Sequence, residues 1–225
     1  MPPSVVPHLT TKRESLLLFT LAAVQFTLMM DFVIVMPLGS HLMRAFGISP
    51  AQFGLLIAIY GIAAGITGFM GGFVLDRFDR RTALLTVYLG FALATLACAV
   101  APTYHILLLA RFVAGAFGGV SGSLITAMVG DAIPPERRGR AMGRVMVAIP
   151  LCSIIGVPSG LVLASLWGWH STYYLLSTLC FVIVFGAFKI LPHVASHQTD
   201  AHPVRQMWNI LNHRIHLRAF LLRAC

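Results

Sequence analysis

The sequence predicts an all-α membrane protein, and three observations carry that reading. Of its 225 residues 58% are hydrophobic and 10% charged, with a mean hydropathy of +0.85, far from the balance of a soluble domain. The apolar residues gather into six stretches, each near the roughly 20 residues that cross about 30 Å of hydrocarbon at about 1.5 Å per residue. Lys and Arg cluster after every second stretch, as topology signals do. The net charge of +9 therefore punctuates apolar runs instead of lining a polar face, which argues against nucleic acid as a partner and for the lipid bilayer.

Span 1 covers residues 16–38 and is too long, too polar in its middle and too poorly followed by small residues to be a removable leader. Span 2 covers 51–75, span 3 82–101, span 4 104–130, span 5 145–167 and span 6 171–191. Residues 1–15 then form an N-terminal segment, 16–191 the six-helix bundle, 192–216 a loop, and 217–225 the first residues of a seventh span, too few to cross.

Lys12 and Arg13 precede span 1. Arg77, Arg80 and Arg81 follow span 2, and Arg137, Arg138, Arg140 and Arg144 follow span 4. Lys189, Arg205, Arg214, Arg218 and Arg223 follow span 6, leaving only Arg44 and Arg111 of the sixteen basic residues elsewhere. Both ends of the six-helix block are expected in the cytoplasm.

The stretch after span 2 reads GGFVLDRFDRR, with Gly72, Asp76, Arg77, Arg80 and Arg81 in register. It resembles the Gly-x-Leu-Ala-Asp-Arg-x-Gly-Arg-Arg loop between helices 2 and 3 of the major facilitator superfamily. Val74, Leu75 and Asp79 depart from that pattern, and Asp79 replaces a turn glycine, though Asp tolerates turns. In span 4, Arg111-Phe112-Val113-Ala114-Gly115 with Gly118 and Gly119 resembles the family's intramembrane arginine signature. In span 5, Gly156-Val157-Pro158-Ser159-Gly160 is similar to the Gly-Pro signature of its antiporters. Asp31 near Pro37-Leu38-Gly39, and Gly168-Trp169 before span 6, look like its proton-coupled drug and sugar efflux branch.

The resemblance implies six transmembrane helices arranged as two inverted three-helix units, one half of a fold that usually has twelve. It implies a carboxy-terminal half, or a second copy, as partner. A small-molecule substrate and a proton gradient are expected, with no cofactor.

Chemistry singles out some of the same residues. Asp31 and Arg111 are the strongly ionisable side chains deep within the spans, and such groups are expensive to keep there. Measured along the predicted helices, each lies seven residues from its outer end, so both sit roughly 10 Å deep and could pair or share a cavity. Burial and Arg111 act on the protonation of Asp31 in opposite senses, which a bound substrate could rebalance; a permanent structural ion pair is the alternative. Gln25, six residues before Asp31, lies about 120° away from it around the helix at about 100° per residue and is a candidate substrate contact.

At the cytoplasmic side Asp131 ends span 4 as Asp76 ends span 2. A gate of Gly72, Asp76, Arg77, Arg80, Arg81 and Asp131 is expected; by resemblance it latches the outward-open state, with helix N-termini favouring its acids. A solvated, merely orienting charge run is the alternative. Gly61, Gly65, Gly68 and Gly72 in span 2, and Gly115, Gly118, Gly119 and Gly122 in span 4, have spacings that let backbones approach closely. Gly156, Pro158 and Gly160 would flex or fix a bend in span 5. Residues 131–140 are expected to be a connector, stopped by Pro134 and Pro135 and turned at Gly139.

His193 and His197 could share a helix face, but the tail is poor in acids and its first Cys is Cys225, so no metal site is expected. Cys98, Cys152 and Cys180 read as small apolar residues. There is no phosphate-binding Gly-rich loop, no converging Ser, His and acid set, and no second intramembrane carboxylate, so an enzyme is not expected. What the resemblance implies is a bacterial inner-membrane transporter half, exporting drugs, sugars or related solutes by proton-coupled antiport. The alternative is a truncated or accessory membrane protein that only pairs with a partner.

Overall fold

The computed structural model describes residues 11–74 and 79–190. It comprises α1 (Thr11–Ile34), α2 (Gly39–Phe46), α3 (Pro50–Val74), α4 (Arg80–Ala99), α5 (Tyr104–Ala132), α6 (Pro135–Met146), α7 (Ala148–Leu151), a π-helical turn (Cys152–Gly156), α8 (Val157–Trp167) and α9 (Trp169–Ile190). Spans 1 to 4 are α1, α3, α4 and α5; span 5 is α6 through α8; span 6 is α9. All six are long and apolar enough to cross a membrane. The end carrying Arg80 and Asp131 is called the basic end below, and the other the far end.

The packing repeats itself. Span 4 packs against spans 2 and 3, span 1 against spans 5 and 6, and spans 3 and 6 against each other. Exchanging spans 1, 2 and 3 for 4, 5 and 6 maps these contacts onto themselves, as two inverted three-helix units require. A buried cluster around Leu21, Leu84, Phe91 and Met128 fills the basic half, and one around Ile34, Leu42, Leu107 and Tyr173 the far half. Spans 2 and 5 are the least covered: 17% and 28% of their apolar windows are buried, against 61% for span 1, so Ile62, Ile66, Ile154 and Val162 stand exposed.

Local chemistry moves several boundaries. α1 stops at Ile34, four residues short of the expected end, because Pro37 has no N–H and its ring opposes the carbonyl four residues back. The chain turns and re-enters helix as α2, whose Leu42 is buried while Ser40 and Arg44 are exposed. Before α3, Ser49 and Gln52 cap each other reciprocally, N–H to side-chain oxygen at 2.9 and 3.3 Å.

The expected connector at 131–140 is a correction. α5 does end at Ala132, with Ile133 extended, but the prolines then start a helix: Pro135 sits in the first turn of α6, where its missing N–H costs nothing. Gly139 lies inside that helix and makes no turn. Asp79 needs no glycine conformation either. With φ −58° it caps α4, its carboxylate accepting from Thr82 N at 2.9 Å and Thr82 Oγ1 at 2.8 Å. Gly47 and Gly168 do need it: at φ +61° Gly47 caps the end of α2, and at φ +83° Gly168 breaks α8 from α9 in one step.

In span 5 the Val157 N–H reaches the Cys152 carbonyl, five residues back. This wider turn precedes Pro158, which cannot supply the regular helical bond to Ile154. Gly156 and Gly160 then let α8 lie against α1. A β-carbon on Gly160 would meet Ile34 Cδ1 at 2.6 Å, and one on Gly156 would meet Met30 Sδ at 3.2 Å. Thr172 Oγ1 donates to the Gly160 carbonyl at 2.8 Å.

Candidate functional site

The two intramembrane charges meet. Arg111 Nη1 donates to Asp31 Oδ2 at 3.0 Å and to the Asp31 carbonyl at 2.8 Å, and both side chains are fully buried. The equal depths expected from sequence do not hold. Asp31 is three residues from the end of α1 and Arg111 seven from the start of α5, a difference of about 6 Å along the axes. The arginine side chain spans it, since helical side chains lean toward their own N-terminus, which for α5 is the far end.

One nitrogen makes both contacts, so the pair is not a fork. Asp31 Oδ1 and Arg111 Nε and Nη2 are buried with no hydrogen-bond partner among the described residues. A bidentate clamp would bind more firmly. The guanidinium instead lies over the Tyr60 ring, 4.4 Å from its centroid, a cation–π contact strengthened by the dry surroundings.

Beside the pair opens a cleft of about 310 Å³, with Gln25 and Phe32 from α1, Tyr60 and Gly61 from α3, and Gly118 and Gly122 from α5 on its walls. Gln25 is therefore a cleft residue, while Asp31 and Arg111 are not in its lining. Phe32 and Tyr60 stand between, their ring centroids 5.6 Å apart.

The glycines divide into two groups. Gly115 and Gly119 press against the backbone of Tyr60 and Ala64, and Gly68 lies against the Gly119 carbonyl, where a β-carbon would come within 3.2 Å. Thr67 Oγ1 donates to Ala116 O, and Ser123 Oγ to Gly68 O, both at 2.7 Å, hydroxyl bonds that hold membrane helices together. Gly61, Gly65, Gly72 and Gly122 have nothing within 4 Å. The close helix contact expected of the whole span 2 series is thus carried by Gly68 alone of its four glycines. Gly61 and Gly122 serve to keep the cleft open.

At the basic end Arg80 Nε donates to Asp131 Oδ2 at 3.0 Å. Arg81 goes elsewhere: its guanidinium sits over Phe188 at 5.6 Å and donates to the Phe188 carbonyl, tying α4 to α9. Gly72 lies within the last turn of α3 with nothing within 4 Å of a β-carbon, and Asp76 and Arg77 lie outside the described residues, as do His193, His197 and the expected seventh span. Arg137 pairs with Glu14 at 2.7 Å, joining the starts of α6 and α1.

Sequence reasoning missed Tyr60 and the hydroxyl bridge from Thr27 to Tyr88, whose oxygens lie 2.7 Å apart between α1 and α4. A tyrosine inside a span otherwise built of Gly, Ala and aliphatic residues was the available signal for the first.

A sequence model of the Major Facilitator Superfamily matches residues 21–225. The chain belongs to that family. It is 25% identical over 209 residues to the uncharacterized MFS-type transporter YceJ of Bacillus subtilis, covering 89% of this chain and 52% of the relative. It is 22% identical over 157 residues to a probable sugar efflux transporter of Pasteurella multocida, covering 70% and 39%. A crystal structure of the peptide transporter POT in complex with alafosfalin superposes with a TM-score of 0.73 at 17% identity, covering 96% of this chain and 48% of that one. A bacterial homologue of the human lysosomal transporter Spinster, inward-facing and unoccupied, gives 0.71 at 16%, covering 83% and 45%. The chain thus spans about half the length of the first relative and of these structures. As a major facilitator protein it resides in a lipid bilayer.

Proposed function

We propose that the chain forms the amino-terminal half of a proton-coupled major facilitator exporter of small solutes, with Asp31 as proton carrier and Arg111 as its modulator. The observation that carries this reading is the Asp31–Arg111 pair, buried without a clamp geometry and one aromatic layer away from a cleft. A buried carboxylate held by a single nitrogen can exchange that contact for a proton at smaller cost than one held by two. The names of the Pasteurella relative and its like support export as the direction. Gln25 contacts the solute, Arg80 and Asp131 close the basic end together with Asp76 and Arg77, and Gly156, Pro158 and Gly160 bend span 5. The distribution of Lys and Arg supports a cytoplasmic basic end in a bacterial inner membrane.

The test is accumulation of labelled sugars and cationic dyes in proteoliposomes containing the assembly in which this chain sits. With an imposed proton gradient, Asp31→Asn is expected to abolish gradient-driven accumulation while leaving downhill exchange. Undiminished accumulation in Asp31→Asn would remove the assigned role.

The exposed faces of spans 2 and 5 favour a second reading, a non-transporting chain that only pairs with another. Under that reading Asp31→Asn changes nothing, because there is no gradient-driven accumulation to lose.

A further inference from the structure

Asp31 has two barriers around it, and they are built differently. Toward the far end, the same face of the chain continues into Ile34, Val35 and Leu38, all at 0% exposure, beneath the equally buried Leu42 and Leu56. That is a packed apolar plug several side chains thick, closed over by α2. Toward the cleft stands Tyr60, in contact with Arg111, with Phe32 against it. Tyr60 is 4% exposed; one face of its ring carries the Arg111 guanidinium, the Phe32 ring packs against it at a 36° tilt, and it lines the cleft. Its hydroxyl lies in the space left by Gly118, where a β-carbon would stand 2.8 Å away, and makes no hydrogen bond among the described residues. Nothing polar fixes the ring's outer edge, so the ring can swing about its side-chain torsions without breaking a hydrogen bond.

Resting on the reading of Asp31 as proton carrier, we infer that Tyr60, with Phe32, is a movable seal through which water and protons reach Asp31 from the solute cleft, the far-end plug staying closed. When the ring swings aside, Arg111 loses its aromatic support and the single-nitrogen contact to Asp31 meets water from the cleft. A hydronium ion then protonates the Asp31 carboxylate, and Arg111 is released. The ionisable groups around Asp31 are Arg111, Tyr60, Cys98, Tyr173 and Cys180. Tyr60 alone of these also borders the cleft. A solute seated on the glycine floor would touch that same ring, so cleft occupancy and proton access act through one side chain.

The experiment measures water access directly. In protein labelled with ¹⁵N-arginine and held in lipid nanodiscs, the solvent-exchange rate of the Arg111 Nε–H is read by NMR, the resonance being assigned by its loss in Arg111→Lys. Slow exchange is expected in the wild type, and faster exchange, on the order of tenfold or more, in Tyr60→Ala and in Phe32→Ala, since each removes one member of a local barrier. Tyr60→Phe keeps the ring and is expected to stay within about twofold of wild type, as is Leu38→Ala, which thins the far-end plug. Acceleration in Leu38→Ala equal to or greater than in the aromatic variants would overturn the proposal, as would wild-type exchange in both aromatic variants. If Tyr60→Ala does not fold, Phe32→Ala alone decides. Exchange needs no transport, so a failure of the proton-carrier reading, seen with Asp31→Asn, stays distinguishable from a failure of the seal.

Discussion

α5 carries an ion pair near each end: Arg111 with Asp31 of α1 toward the far end, and Asp131 with Arg80 of α4 at the basic end. Twenty residues of one helix, about 30 Å, separate them. Both pairs close at 3.0 Å, but Arg111 and Asp31 have 0% side-chain exposure while Arg80 and Asp131 keep 9% and 32%. Distance alone would rank them equal; surroundings do not. Removing one partner of the dry pair strands a charge where nothing solvates it. Breaking the wet pair returns at least one partner to water. A pair that must open in every cycle belongs where opening is cheap, which suits the latch proposed at the basic end. A pair that must register a proton belongs where each change of charge is expensive, which suits the proton-carrier role proposed for Asp31.

The sharpest way to break this comparison is to delete Arg111. Arg111→Ala leaves Asp31 buried and unpaired, and is expected to cost about 3–5 kcal/mol of stability, read as unfolding in detergent. Asp31→Asn combined with Arg111→Gln should recover a large part of that loss, since no stranded charge remains. If the single variant costs no more than the same change at Arg80, burial does not distinguish the pairs.

Between the two pairs lies the glycine contact of α5 with α3, and it tests whether the ends are linked. A side chain at Gly119 would collide with the backbone of Ala64. Gly119→Val is therefore expected to cost about 1–3 kcal/mol through overpacking, in the same unfolding measurement. Gly122→Ala, with nothing within 4 Å, should be neutral for stability and should narrow only the cleft. Equal costs at the two positions would mean that the close approach of α3 and α5 is not what holds them.

These glycines also show where the sequence stops being informative. Spacing finds that Gly61, Gly65, Gly68 and Gly72 recur along one helix, but lipid, a partner helix and a cleft are all tolerant of a missing side chain. Which of the three each glycine meets depends on the rotation of the helix about its axis. The six spans were legible because length and hydropathy answer directly to membrane thickness. Asp31 and Arg111 were legible because a charge in an apolar run calls for a partner, whereas Arg80 and Asp131 were legible only as members of a larger charged cluster at the basic end. The amphipathic α2 and α6 were not, being too short or too polar for a hydropathy criterion. Tyr60 was missed because its role comes from a contact between spans that no local pattern contains.

The smallest effect sharpens the contrast most. Arg80→Gln and Asp131→Asn are each expected to cost only about 0.2–1 kcal/mol, the range of partly exposed pairs. The coupling between them in a double-mutant cycle should shrink in about 1 M salt, where the screening length is about 3 Å. The same cycle on Asp31 and Arg111 should be indifferent to salt, because ions cannot reach a dry pair. A salt-dependent coupling at Asp31 would place water beside it in the resting protein, and the seal formed by Tyr60 and Phe32 would then already be open.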